Sequence, residues 1–202
     1  MNFGINDLPI IVRESTIKQG VWKKDCPIKL NDLKLIKIIH YNFDFDIKNG
    51  EIMVHKNVAN NTVKIFKKLF EIKFPIYSVK LINEFQGDDY ASMEANNSSA
   101  FNFRNIPNSN LISMHSYGLA IDINPVQNPY ILDVSGKEIV LPDIGRNFLD
   151  RKNHRPGMVT KEIVRVFADN GFSDWGGNWR KADYHHFQLP RNILSKWNCD
   201  QG

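Results

Sequence analysis

The chain is poor in cysteine. Cys26 and Cys199 are its two, they lie near opposite ends, and no Cys-x-x-Cys spacing occurs. A thiolate zinc site is thereby excluded, and any metal must be held by histidine and carboxylate. The pair leaves two alternatives open, a single disulfide tying the termini or two inert thiols. No apolar run reaches the length of a membrane span, no tract is of low complexity and no segment repeats. No N-terminal stretch joins a basic start, an apolar middle and a small-residue cleavage site. The chain therefore reads as cytoplasmic, already processed, trimmed, or released by another route. Charge of one sign is scarce as well: 26 Lys+Arg against 22 Asp+Glu leave +4, with a pI near 9.0. That balance suits an anionic partner, but without a recognition motif or a basic stripe it does not make a nucleic-acid binder. What remains, 202 residues at 42% hydrophobic and 24% charged, fits one globular domain.

Along the chain, residues 1–32 show little periodicity and contain Gly4, Pro9, Gly20 and Pro27, the pattern of an arm packed on the outside of a domain spanning 33–202. Residues 33–45 and 51–55 predict a strand pair joined through a turn at Lys48-Asn49-Gly50. Apolar residues at helical spacing predict a helix over 58–72, ended by Pro75, with a strand following over 76–82. Residues 86–110 form a long polar stretch of the kind that more often carries function than not. Residues 118–124 alternate as a strand, with Leu119, Ile121 and Ile123 on one face and Ala120, Asp122 and Asn124 on the other. A second irregular region over 125–157 is expected, then a helix over 160–170 closed by Gly171. Strands mixed with a few helices, without βαβ alternation, predict an α+β fold with a mainly antiparallel central sheet.

Two short stretches carry chemistry. In 113–122 a histidine, His115, stands before the predicted strand and a carboxylate, Asp122, on its polar face. In 183–188 the order Asp183-Tyr184-His185-His186-Phe187-Gln188 adds a carboxylate and two imidazoles. Together they supply three metal ligands and a spare carboxylate, the inventory of a hydrolytic zinc site. Asp183 and His186 are three apart, so a regular strand would turn them to opposite faces; Asp183 is expected in the turn before the strand, with His186 on the pleat and His185 on the face opposite it. His40 and His55 fall in predicted strands and read as structural. His154, in Arg151-Lys152-Asn153-His154-Arg155, reads as part of a solvated basic loop.

The run Ser-x-His-x-x-Gly-x-Ala-x-Asp-Ile-Asn-Pro over 113–125, followed by Trp-Gly-Gly-x-Trp over 175–179 and Asp-x-x-His-Phe over 183–187, resembles the D-alanyl-D-alanine carboxypeptidase family of zinc peptidases. The likeness extends upstream to 96–104 and Phe74-Pro75-Ile76, and so covers roughly residues 30–190. Relatives of this family include D-Ala-D-Ala dipeptidases, L-alanyl-D-glutamate endolysins and, more distantly, the hedgehog domain.

The resemblance implies a zinc site in a surface cleft, with one Zn2+ per chain held by His115, Asp122 and His186. His185 is the competitor for the third position. It implies Asp183 as the base and Arg104 as the substrate-binding cation that stabilises charge on the scissile carbonyl. Ser113, Trp175, Trp179 and His185 are expected as substrate contacts, the tryptophans being equally suited to capping the core. The implied substrate is a peptidoglycan stem peptide, with D-Ala-D-Ala carboxypeptidase action first and lysin-type endopeptidase action second. A non-catalytic zinc-stabilised binding module is the alternative of another class. The implied protein is a monomer of the cell envelope without nucleic-acid partner or membrane span.

Overall fold

A computed structural model describes residues 2–197. In chain order it contains β1 (Gly4–Asp7), α1 (Ile10–Lys18), β2 (Leu33–Tyr41), β3 (Ile47–His55), α2 (Ala59–Glu71), β4 (Ser78–Val79), α3 (Asp89–Glu94) and β5 (Asn97–Ser98). There follow β6 (Ala120–Asp122), β7 (Tyr130–Val134), β8 (Lys137–Leu141), α4 (Lys161–Ala168), β9 (Asp174–Trp175), β10 (His186–Gln188) and α5 (Ile193–Trp197). The mix of helix and strand agrees with α+β. Among the described residues, however, the expected central sheet is divided into antiparallel β1-β2-β3, antiparallel β6-β10-β9, the ribbon β7-β8 and the parallel pair β4-β5. No helix is long and apolar enough to cross a membrane among the described residues.

The β2-β3 ribbon is the wall around which the core divides. Ile36, Ile38, Ile52 and Val54 lie on one face and join Ile65, Phe66 and Leu69 of α2 in the main core. Leu33, Leu35 and Met53 lie on the other and meet Leu8, Val21, Ile28, Leu30 and Phe101. Each such side chain contributes about 1.5–3 kcal/mol when fully buried. Residues 2–32 are thus woven into the fold through β1, which pairs with β2, and through these core residues.

Two expectations for this region are corrected. The turn of the ribbon lies at residues 42–46, where the Asn42 side-chain carbonyl accepts from the Asp44 and Asp46 amides, 3.0 and 2.8 Å. Gly50 is inside β3, opposite Ile38, and a Cβ there would sit 2.5 Å from the Val79 Cβ. It marks a close crossing of chains instead of a reversal. The strand expected over 76–82 shrinks to Ser78–Val79, with a 3-10 turn following at Ile82–Phe85.

Residues 125–157 are also more ordered than expected. Tyr130–Val134 and Lys137–Leu141 form a hairpin whose turn, Ser135-Gly136, has positive φ at both residues, 54° and 80°. Such a two-residue turn matches the twist of the strands it joins.

In the second three-stranded sheet, Phe187 points into the core and stacks on Phe167 of α4 at a centroid distance of 3.8 Å. Its neighbours His186 and Gln188 consequently face the opposite way. Gly118, at φ 65°, ends the 3-10 turn Met114–Tyr117 before β6, and a Cβ on it would lie 2.6 Å from the His55 backbone nitrogen. A Gly118→Ala variant should lose about 2 kcal/mol or more through the strained φ and the clash together, read as a lowered thermal midpoint. A midpoint within a degree of wild type would refute this account of the turn.

Candidate metal centre and cleft

Antiparallel pairing of β6 with β10 sets Asp122 directly opposite His186. His115 arrives from the 3-10 turn, whose first amide is capped by Ser113: the Oγ accepts from the His115 amide at 3.3 Å. Three residues spread over 72 positions of chain thus converge, with one donor atom of each within 4.8 Å of the others. His115 Nε2 is 3.1 Å from Asp122 Oδ2, His186 Nδ1 is 3.0 Å from Asp122 Oδ1, and the two ring nitrogens are 3.1 Å apart. All three residues are buried.

Each ring is oriented from behind. His115 Nδ1 donates to the Ala100 carbonyl, and His186 Nε2 donates to Gln188 Oε1 at 2.9 Å. The Gln188 amide donates to Asp174 Oδ2 at 2.7 Å, and Asp174 Oδ1 accepts from Trp179 Nε1 at 2.9 Å. With the outer nitrogens so engaged, His115 Nε2 and His186 Nδ1 are the atoms that face Asp122 and offer a lone pair once deprotonated, the arrangement that metal-binding histidines adopt. Two imidazoles and one carboxylate with an open side fit zinc. Residues 107–189 match the family model of D-alanyl-D-alanine carboxypeptidase.

The segment that carries the triad is therefore similar to that carboxypeptidase family, and the match supports a metallopeptidase. The matched span holds Ser113, His115, Asp122, Trp175, Trp179, Asp183, His185 and His186, while Arg104 lies just before it. Neither the curated proteins nor the solved structures gave a match to the chain.

Beside the triad opens a cleft of about 330 Å³, lined among others by Arg104, Ser113, His115, Trp179, Asp183, His185 and His186. Asp183 pairs in an isolated bridge with Tyr130 ahead of β10, and Tyr184 and His185 form the turn that follows. Asp183 thus takes the place expected before the strand. The same turn removes His185 from any strand face: its Nε2 lies 3.1 Å from Asp183 Oδ1 and 3.9 Å from Asp122 Oδ2. The expected opposition of His185 to His186 fails because the strict alternation of a strand begins only at His186.

Asp183 Oδ1 is buried without a hydrogen-bond donor. Burial pushes this carboxyl above the usual carboxylate range against the pull of His185 and His186, and the Asp122 charge adds to the rise. Asp122 behaves oppositely: burial disfavours its charge, but His115, His185 and His186 hold it well below the usual range. The environments of the two carboxyls in this site thus drive them in opposite directions.

The Trp175-Gly176-Gly177 turn explains how Asp183 is placed. The Asp183 amide donates to Gly176 O at 3.0 Å, and a Cβ on Gly176 would lie 2.5 Å from the Asp183 carbonyl oxygen. Trp175 packs on the main core, stacks toward Phe187 and donates from Nε1 to Tyr184 O at 3.0 Å, and it does not line the cleft. Trp179 does line it, with its ring 5.2 Å from that of His186.

Arg104 enters from the polar stretch. Its backbone amide donates to Ser116 Oγ at 2.9 Å, and that hydroxyl donates to Arg104 O at 2.8 Å, tying the arginine to the His115 turn. One guanidinium nitrogen meets Asp89 at 2.8 Å, while Nε has no partner. Desolvation opposes the cation, but Asp89, Asp122 and Asp183 together raise its pKa.

Sequence reasoning missed Gln188, Asp174, Ser116 and Tyr130. Gln188 was within reach, since the strand period puts it on the face of His186. Cys26 donates from Sγ to Ser116 O at 3.5 Å, and burial raises its thiol to about 11. Cys199, its partner in the disulfide alternative, lies outside the described residues.

Proposed function

We propose that the protein is a zinc peptidase that hydrolyses a peptide bond involving a D-amino acid in a peptidoglycan stem peptide, with D-alanyl-D-alanine carboxypeptidase action the first choice. The observation that carries this reading is the buried second carboxyl, Asp183, in the same cleft as the His115, Asp122 and His186 donors. A binding module would have no need of a second buried carboxyl beside its metal site, since burying such a group costs stability wherever it does no chemistry.

His115, Asp122 and His186 would hold one zinc ion, and zinc, when bound, supplies Lewis acidity toward the scissile carbonyl and the attacking water. Asp183 accepts the proton of that water and returns it to the leaving amine. Arg104, with Nε free and its other end braced by Asp89, binds the substrate carboxylate or the oxygen on which charge develops. Trp179 closes one side of the cleft, and Ser113 holds the turn that presents His115. The mild positive charge suits an anionic wall, and the substrate places a monomeric enzyme in the cell envelope.

Mass spectrometry of purified muropeptides after incubation with the zinc-loaded protein tests the reading. Loss of one terminal alanine is the expected result. Release of the D-Ala-D-Ala dipeptide or cleavage inside the stem would reassign the bond, and intact muropeptides would overturn the assignment to peptidoglycan.

A further inference from the structure

The basic loop at 151–155 does not lie wholly in water. His154 and its neighbours Lys152, Asn153 and Arg155 are exposed, but Arg151 turns inward. Its Nη1 donates to Gln127 O at 2.8 Å, its Nη2 donates to Asn128 Oδ1 and Val159 O at 3.0 Å each, and its guanidinium lies 4.6 Å over the Tyr184 ring. Among the described residues no carboxylate comes within ion-pair distance of it. Burial accordingly lowers its pKa to about 10. A half-buried cation without a counter-charge carries a desolvation cost, which its hydrogen bonds offset.

Asn128 is completely buried and its side chain is saturated. Nδ2 donates to Ile123 O, Asn124 O and Gly157 O at 3.1, 3.2 and 2.9 Å, and Oδ1 accepts from the Val159 amide at 2.6 Å as well as from Arg151. The backbone carbonyl of the same residue accepts from His185 Nδ1 at 2.8 Å. The His185 ring, 3% exposed and fixed by that bond, packs with Nε2 3.1 Å from Asp183 Oδ1 and so sets where that carboxyl can lie. Arg151 therefore grips the chain on both sides of His185, through Asn128 and through the face of Tyr184.

We propose that Arg151, Asn128 and His185 form a positioning relay that fixes the Asp183 carboxylate in the cleft from outside it. Arg151 does not line the cleft, so it touches neither substrate nor metal. The relay's catalytic consequence rests on the peptidase reading, but the relay itself is a statement about geometry. A base displaced by about 1 Å can lose about 100-fold in rate without loss of binding.

The test compares Arg151→Met, which keeps the bulk and removes the donors, with Arg151→Lys, which restores the charge and part of the bonding. Imidazole nitrogen-15 and proton spectra of His185 are recorded in metal-free and zinc-loaded protein, alongside kcat, KM and zinc affinity. Arg151→Met should shift the His185 Nδ1 resonances in both states and lower kcat by about 30- to 100-fold, with KM and zinc affinity within about twofold of wild type. Arg151→Lys should recover part of both effects. Unmoved His185 resonances, or a parallel fall of kcat, KM fitness and zinc affinity, would overturn the relay in favour of a merely structural arginine. If Arg151→Met fails to fold, His185→Gln takes its place, with the same loss of kcat expected and an unchanged kcat refuting the relay. Should the wild type cleave no muropeptide, the peptidase reading falls and the spectra alone decide the relay.

Discussion

Asp183→Asn should retain zinc at one equivalent and lose about 100- to 10,000-fold in kcat, the span that a positioned general base commands. The substitution is nearly isosteric, so the Gly176 carbonyl keeps its bond to the residue 183 amide and the turn into β10 is preserved. The three metal donors lie on other side chains and keep their own outer bonds to Ala100 and Gln188. What disappears is the proton acceptor. An amide oxygen cannot take a proton near neutral pH, and a carboxyl raised by burial is better matched to that task than an ordinary one. Zinc content by elemental analysis and turnover on a muropeptide, measured on the same preparation, check the pair of expectations. Loss of zinc with activity would place Asp183 among the ligands, and turnover within threefold of wild type would remove it from the chemistry.

The sequence carried the local parts of this site well. Asp122 could be placed because β6 is a short alternating strand whose apolar face, Leu119, Ile121 and Ile123, enters the main core. Asp183 could be placed ahead of β10 because its spacing to His186 is incompatible with one strand face. The helices over 59–71 and 161–168 were also legible, since Ile65, Phe66 and Leu69, or Ile163, Val166 and Phe167, repeat at the helical period. The family resemblance supplied the triad; a match over 107–189 supports the resemblance, and the three side chains lie close enough to share a metal.

What was not legible depends on contacts between distant segments. Gly50 resembles a turn residue in a window of sequence, and only the crossing of Val79 shows why it stands in a strand. Arg151 sits in a run of charged residues whose neighbours are solvated, and its inward turn follows from Asn128, more than twenty positions away. His185 illustrates the same limit at short range. Alternation assigns it to one face, but the turn it occupies is set by Tyr184 and its bond to the Pro129 carbonyl, 3.2 Å. The β7-β8 hairpin is different, because Ser135-Gly136 between two short apolar runs was a usable turn signal.

In the metal-free protein, stability should fall as pH rises from about 6.5 to about 9, and zinc should remove that fall. Desolvation opposes a charge on His186, but its bond to Asp122 and the Asp122 and Asp183 charges raise the imidazole from 6.5 to about 9. A pKa higher in the folded chain than in the unfolded one means that the folded state binds the proton more tightly. The resulting stabilisation is complete below pH 6.5, where both states are protonated, and is lost as pH passes through about 9. His40 and His55 do not blur this window, because burial lowers both, His55 to about 4. Zinc needs the same Nδ1 lone pair, so metal and proton compete: affinity should climb with pH up to about 9 and then level, with about one proton released per metal near pH 7.5. Since a ligand stabilises by RT times the logarithm of one plus its concentration over its Kd, the gap in thermal midpoint between zinc-loaded and metal-free protein should widen across the same interval. Calorimetric titration in two buffers of different ionisation enthalpy counts the proton, and thermal scans from pH 6 to pH 9.5 follow the gap. His186→Ala should bind zinc at least about 100-fold more weakly and show no such fall in metal-free stability, because the proton-binding group is gone. A metal-free midpoint that stays level through this interval in wild type, or declines equally in His186→Ala, would mean that the Asp122–His186 pair does not hold the proton that zinc replaces.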